Sequence, residues 1–105
     1  MRAAKFLFVS GQLAIDPKEG RIVSNNIKDQ TVRVMENIEA ILQTAGYSFK
    51  DVVQSTVYIS SMALFKEFNI EYAKYFGKDF PARATAGNEL PPDALVEISV
   101  IAYKE

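Results

Sequence analysis

Chemistry in this chain has to come from few residue types, because its 105 residues include neither histidine nor cysteine. Zinc sites built from Cys and His, thiol nucleophiles and imidazole acid–base pairs are therefore excluded together. Proton transfer is left to carboxylates, lysine, tyrosine or bound water. The absence of disulfides is also compatible with a reducing compartment.

Arg83 is the first candidate for chemistry, at the start of a predicted strand in the segment Pro81-Ala82-Arg83. Proline stiffens the approach to this arginine, whose planar fork of N–H donors matches a carboxylate. A solvated surface or interface arginine would give the same pattern. The sequence pattern alone leaves both interpretations open.

Glu97 is the second candidate, because it interrupts the strongly apolar segment 95–102. In a strand it shares one face with Ser99 and Ile101. A carboxylate in such surroundings can act as a general acid or base. A glutamate on a half-solvated strand face is the alternative.

Two weaker candidates follow from glycine and amide chemistry. In Ser10-Gly11-Gln12, the glycine after an apolar run lets a ligand or a neighbouring chain approach the backbone closely. Asn69 lies about one helical turn from Phe65, although an amide in that position also commonly caps or bridges backbone.

The elements that position these residues are predicted by their periodicity. Phe6 to Val9 and Leu13 to Ile15 indicate strand, followed by a turn over 16–20 and a short strand from Arg21 to Val23. A helix begins after the Ser24-Asn25-Asn26 cluster and stops at Gly46. Its apolar face consists of Ile27, Thr31, Val34, Met35, Ile38, Ile41, Leu42 and Ala45.

The second half of the chain repeats the alternation. Val52 to Ile59 is apolar on both faces, as in a central strand. The next helix, capped by Ser60-Ser61, carries an aromatic stripe more typical of core packing than of a ligand cage, namely Phe65, Phe68, Tyr72 and Phe76. Strands are predicted from Ala82 to Ala86 and from Leu95 to Tyr103. The order β-β-α-β-α-β-β over residues 1–105 predicts one α+β domain, a mixed sheet with two helices on one face.

The other face of this sheet needs a cover, since two helices can pack on only one side of it. The strands at 52–59 and 95–103 offer apolar side chains to both sides. In a chain of this size another copy of the same sheet is the expected cover, which predicts a homo-oligomer.

Charge and hydropathy limit the partners. With 12 Lys+Arg against 13 Asp+Glu the net charge is -1. The chain therefore lacks the excess of positive charge that is typical of nucleic-acid-binding proteins. No stretch approaches the ~20 apolar residues of a membrane span, and the N-terminal residues lack the continuous apolar region of a secretory signal. We expect no membrane partner and a cytoplasmic location.

Several segments in series carry a family resemblance that covers essentially the whole chain: FVSGQ from Phe8, NIEAILQTAG from Asn37, FNIEY from Phe68, FPAR from Phe80 and LPPDALVEISVIA from Leu90. The chain resembles the reactive-intermediate deaminases, the YjgF-type enamine/imine deaminases. This resemblance implies a chorismate-mutase-like fold and a homotrimer with three clefts between subunits. It also implies hydrolysis of small 2-imino acids to 2-keto acids and ammonia, without metal or other cofactor.

The resemblance also assigns roles to residues. Arg83 would hold the substrate carboxylate, and Glu97 would orient or activate the water that attacks the imine carbon. Backbone groups at Gly11 and Thr85 would line the cleft. Ser10 and Asn69 would stand nearby.

Two departures from the family pattern concern the site. Family members usually carry about twenty residues ahead of Lys5, including a tyrosine that reaches the cleft, where this sequence has four. The spacing from Arg83 to Leu90 is one residue shorter than expected, and we expect Gly87-Asn88 to adjust it so that Glu97 keeps its facing.

Two rival functions remain at this point. A non-catalytic trimer that binds a small carboxylate or 2-keto acid would need Arg83 but not Glu97. A ribonuclease, an activity sometimes attached to the family, is disfavoured by the net charge and by the lack of histidine.

Overall fold

Strands and helices alternate along the chain in the computed structural model, which describes residues 2–3 and 5–105. The elements are β1 (Arg2–Ala3), β2 (Phe6–Gln12), α1 (Ile27–Thr44), β3 (Val52–Ile59), α2 (Phe65–Ala73), β4 (Ala82–Gly87) and β5 (Val96–Tyr103). Short 3₁₀ turns at Phe49–Asp51 and Met62–Leu64 precede β3 and α2. The predicted α+β order β-β-α-β-α-β-β is confirmed.

The sheet has the strand order β1-β2-β5-β3-β4. Its pairs are antiparallel except for β3 and β4, which run parallel. A parallel pair needs a long crossover between its strands, and α2 lies in that crossover. The sheet is therefore mixed, and β4 lies at its edge.

The first strands differ from the prediction. The short strand expected from Arg21 to Val23 is reduced to a single bridge between Ile15 and Ile22. The turn itself forms, because a carboxylate oxygen of Asp16 accepts hydrogen bonds from the backbone N–H of Lys18 and Glu19 at 2.8 and 3.0 Å. Beyond the bridge the chain turns to the start of α1, where the Ser24 hydroxyl accepts from the Asn26 N–H at 3.3 Å and donates to the Asp29 carboxylate at 3.3 Å.

Helix α1 has the predicted ends. The side chain of Asn26 caps it by accepting from the backbone N–H of Asp29 at 2.8 Å. Gly46 follows the helix with φ +85°, a left-handed conformation that favours glycine. Most of the predicted apolar face is buried, but Ile41 lies at its margin and is 36% exposed.

The core lies between the two helices and one face of the sheet. Strand β5 shows the alternation most clearly, with every second residue from Val96 to Ala102 buried. The opposite face of the sheet is not covered by any described element. It presents Phe6, Phe8, Val53 and Tyr103, each 36 to 46% exposed. No helix in the described part of the chain is long and apolar enough to cross a membrane.

Candidate functional site

The strand register places the two charged candidates on opposite faces of the sheet. Arg83 pairs with Ser55 of β3, whose side chain is buried under the helices. Glu97 pairs with Tyr58 of β3. Tyr58 lies three residues beyond Ser55, so their side chains point to opposite faces of the sheet. Glu97 shares the face of its partner Tyr58 and therefore lies on the uncovered side.

Arg83 lies against three residues of α2. One terminal N–H of its guanidinium donates to the Asn69 side-chain oxygen at 2.6 Å. The guanidinium carbon lies 4.9 Å from the ring centre of Tyr72 and 5.3 Å from that of Phe65. The spacing 65, 69, 72 puts these side chains on one helical face, where the rings attract the cation through their π electrons.

Tyr72 connects this arrangement to the core. Its side chain is 2% exposed, and its hydroxyl shares a hydrogen bond with the Ser55 hydroxyl at 2.5 Å. Burial raises the pKa of Tyr72, opposed by the Ser55 hydrogen bond and by the charge of Arg83. The phenol therefore stays neutral near pH 7, and it meets Arg83 as a π face rather than as an anion.

Within the residues that the structure describes, Arg83 has no carboxylate partner. The ion pairs within residues 5–105 are Arg21 with Glu19, Arg33 with Glu36 and Lys74 with Glu71. The guanidinium is thus held by a neutral amide and two rings, and its positive charge is not neutralised. Its remaining N–H donors can bind an anion.

Thr85 lies two residues beyond Arg83 on the same face of β4, where it pairs with Val57. Its hydroxyl oxygen is buried and has no hydrogen-bond partner in the part of the chain that the structure describes. Buried polar atoms usually have a hydrogen-bond partner. The Thr85 hydroxyl is therefore an unusual group, and it lies on the same strand face as Arg83.

Glu97 packs against Gly11 on the uncovered face. A Cβ atom at Gly11 would lie 2.8 Å from the Glu97 carboxyl carbon and 2.9 Å from Oε2. Only glycine leaves room for the carboxylate there. The register of β2 shifts between Val9 and Gln12, which gives Ser10 and Gly11 their place at an irregularity of the strand.

The shorter spacing after Arg83 does not disturb β4. Strands β3 and β4 pair regularly up to the partners Ile59 and Gly87, and the Asn88 N–H then donates to the Ile59 carbonyl at 2.9 Å. The pairing is therefore regular through Gly87, and the adjustment of the spacing at Gly87-Asn88 stays a prediction. The facing of Glu97 is fixed by the pairing of β5.

The six predicted residues thus form two groups within one chain. Asn69 and Thr85 join Arg83 on the side of the helices, whereas Ser10 and Gly11 join Glu97 on the uncovered face. The structure does not bring the two groups together. Among the residues described, no three Asp or Glu side chains are grouped to hold a metal ion.

Sequence reasoning missed the contribution of the aromatic stripe to the site. The sequence predicts Phe65 and Tyr72 as core residues, but the rings of both also contact the guanidinium of Arg83. The alternative interpretation of Asn69 as a cap does not describe it either, since its oxygen accepts from the guanidinium. The signal was the spacing that aligns Asn69 with the two rings.

Comparison with known proteins extends these observations. The model of the family described as Endoribonuclease L-PSP matches residues 1–104. The chain belongs to this family, also called the YjgF/Rid family. A RutC family protein of Pyrococcus horikoshii is 54% identical over 106 residues, which cover 100% of this chain and 84% of that protein.

Further Rid relatives differ in what their names state. Reactive Intermediate Deaminase A, chloroplastic, of Arabidopsis thaliana is 39% identical over 103 residues, covering 97% of this chain and 55% of the plant protein. The crystal structure of Escherichia coli TdcF with bound serine superposes with a TM-score of 0.93 at 30% identity, covering 100% of this chain and 85% of that one. The predicted family and fold are confirmed.

Proposed function

We propose that this Rid protein hydrolyses reactive 2-imino acids, or their enamine tautomers, to 2-keto acids and ammonia. The observation that carries the proposal is the environment of Arg83. Asn69, Phe65 and Tyr72 hold this cation, and no carboxylate of the residues that the structure describes neutralises it. A substrate carboxylate supplies the missing charge and fits the planar fork. The family relationship to a reactive intermediate deaminase supports the same conclusion.

The reaction needs one placed water and one proton carrier. Water adds to the imine carbon, and Glu97 accepts a proton from it as the carbon–oxygen bond forms. Glu97 passes that proton to the nitrogen, which gives a carbinolamine. The hydroxyl of the carbinolamine then loses its proton, which Glu97 carries to the nitrogen in the same way. The carbon–nitrogen bond breaks, the carbonyl forms, and ammonia leaves. A positioned carboxylate is sufficient for such general acid–base catalysis, with no cofactor.

The proposal requires more than one copy of the chain. Arg83 and Glu97 lie on opposite faces of one sheet, so a single chain cannot apply both to one substrate. A cleft between subunits, with Arg83 from one and Glu97 from the next, resolves this. The exposed aromatic residues of the uncovered face support burial by another copy, and we propose the homotrimer that the family resemblance implies. We also propose a cytoplasmic location, which the absence of cysteine supports.

A non-catalytic binder of small carboxylates or 2-keto acids is the second candidate. It is favoured by the completeness of the Arg83 group within one chain, and by a relative whose structure holds serine. Binding then depends on Arg83 alone, and Glu97 has no part in it.

Substituting Glu97 separates the two candidates. Glu97→Gln keeps the size of the side chain but cannot accept the proton, so we expect turnover of freshly generated 2-iminobutanoate to fall about 10² to 10⁴-fold. Affinity for 2-ketobutyrate, measured by calorimetric titration, should stay within about twofold. Glu89→Gln removes the same charge from an exposed position and is the matched control.

The result that contradicts the enzyme is a wild-type protein that binds 2-ketobutyrate but does not accelerate imine hydrolysis. Equal turnover by wild type and Glu97→Gln would remove Glu97 as the base. Arg83→Ala and Arg83→Lys should both lose 2-ketobutyrate binding, because lysine keeps the charge but lacks the fork. Unchanged affinity in these variants would contradict both candidates.

A further inference from the structure

A cavity of about 300 Å³ lies beside Arg83, where the end of α2 meets the start of β4. It is lined by Asn69, Tyr72, Ala73, Phe80, Pro81 and Arg83. The polar side-chain groups available to a ligand belong to Asn69 and Arg83, because the Tyr72 hydroxyl is engaged by Ser55. The other side chains of the lining, those of Ala73, Phe80 and Pro81, are apolar.

Phe80 is an exposed residue of this lining. Its side chain is 57% exposed, which is high for a large apolar residue. Its ring nevertheless has a fixed neighbour, since its centre lies 6.3 Å from that of Phe76, which is 8% exposed. An aromatic ring held in this way offers a ligand a defined apolar surface.

The charges of the lining decide which ligands suit it. Among the described residues that line the cavity, Arg83 alone has a charged side chain, and a bound carboxylate would neutralise it. A second carboxylate on the same ligand would lose its water without gaining a cationic partner, which is costly. An apolar substituent would instead cover the ring of Phe80.

From this lining, and resting on the proposed function, we infer that Phe80 determines substrate specificity. It receives the side chain of the 2-imino acid whose carboxylate Arg83 holds, and it favours aromatic or branched apolar side chains over side chains that carry a second carboxylate. The cavity volume is about ten times the ~30 Å³ that a water molecule occupies in the liquid. That leaves room for a carboxylate together with a ring.

Stable 2-keto acids test this inference by calorimetric titration. We expect the wild-type protein to bind phenylpyruvate about tenfold more tightly than pyruvate, and 2-oxoglutarate more weakly than phenylpyruvate. Phe80→Ala should bring phenylpyruvate and pyruvate to within about twofold of each other, while pyruvate affinity itself stays nearly constant. Phe80→Leu should fall between the two. Ile70→Ala is the matched control, because Ile70 follows Asn69 in α2, is 55% exposed and does not line the cavity.

Three results would overturn the inference: no preference for phenylpyruvate in the wild type, an unchanged preference in Phe80→Ala, or an equal loss of preference in Ile70→Ala. Failure of the proposed function looks different. Pyruvate binding that survives Arg83→Ala removes the carboxylate anchor, and a wild type that binds no 2-keto acid overturns both proposals. Arg83-dependent binding without any effect of Phe80 removes the specificity role alone.

Discussion

A methyl group at Gly11 of β2 would meet the Glu97 carboxyl. The clash at 2.8 Å involves the far end of a flexible side chain, so Glu97 can move away at little cost in stability. For Gly11→Ala we expect the free energy of unfolding to change by less than about 1 kcal/mol. Because the carboxylate is displaced, imine turnover should fall at least about tenfold.

Gly87→Ala is the matched control for this prediction. A Cβ there would lie 3.3 Å from Cγ of Met62, whose exposed side chain can shift, and no candidate site residue is involved. Urea unfolding and turnover of both variants should be measured together. Full turnover in Gly11→Ala would show that the position of the Glu97 carboxyl does not matter for catalysis.

Tyr72 makes stability depend on pH at the alkaline end. Burial raises the pKa of this tyrosine above its ordinary value of 10.0 in the folded chain. As the pH rises through that value the unfolded chain loses its proton first, so the free energy of unfolding falls. Below it both states are protonated, and the contribution of Tyr72 is fully present.

Tyr72→Phe removes this ionisation. At neutral pH the variant should be less stable by about 1 kcal/mol, because the hydrogen bond to Ser55 is lost. Urea unfolding at increasing pH should show that this deficit shrinks above about pH 10. A deficit that stays constant to higher pH would contradict the raised pKa of Tyr72.

At the residue scale, the types of the site residues could be predicted, but their facing could not. Arg83 and Glu97 were identified because a lone arginine after proline and a carboxylate in an apolar strand are chemically unusual. Their placement on opposite faces depends on how β3 pairs with β4 and β5. Register is a property of strand pairs, and one sequence does not state it.

Gln30 ties separate elements together from inside the fold. It is 1% exposed, and its amide N–H groups donate to the carbonyls of Ser24 and Asp93 at 2.8 Å each. Its oxygen accepts from the Leu95 N–H, also at 2.8 Å. Two of these bonds join α1 to the loop that leads into β5 and hence towards Glu97, and the third joins it to the segment that precedes α1.

Gln30→Leu should therefore destabilise the protein despite its apolar side chain. Three backbone groups lose a partner in a partly buried place, which should lower the free energy of unfolding by about 2 kcal/mol. Gln43→Leu makes the same substitution on an exposed position of α1 and is the control. Equal urea midpoints for the two variants would contradict the structural role of Gln30.

At the element scale, sequence signals such as caps and glycines predicted the ends of an element best where the contacts that stabilise those ends lie within a few residues. Helix α1 begins at its Asn26 cap and ends before Gly46 as expected, because both signals act within a few residues. The prediction of a hairpin strand after the Asp16 turn is wrong. The turn residues determine that the chain reverses, but they do not determine how many residues pair after the reversal. The contacts of Gln30 span more than sixty residues, which no local pattern reveals.

The assembly of the whole molecule can be measured directly. Light scattering behind size exclusion should give about three times the chain mass of 11.7 kDa. The uncovered sheet face with its exposed aromatic residues is the physical reason to expect association. A monomer at micromolar concentration would contradict a site shared between copies.

Mixing two inactive variants tests the shared site itself. Arg83→Ala and Glu97→Gln chains, unfolded together in equal amounts and refolded, should recover about one quarter of the wild-type activity. That fraction is the chance that an intact Arg83 and an intact Glu97 meet in one cleft. Each variant refolded alone is the control, and a mixture as inactive as its components would contradict complementation between subunits.

The opposite facing of Arg83 and Glu97 has a genetic consequence. In the proposed trimer every chain takes part in two clefts, through Arg83 in one and through Glu97 in the other. A chain that carries both Arg83→Ala and Glu97→Gln therefore silences two of the three clefts when it assembles with two intact chains. Such an allele should be dominant negative in a cell that also expresses the intact protein.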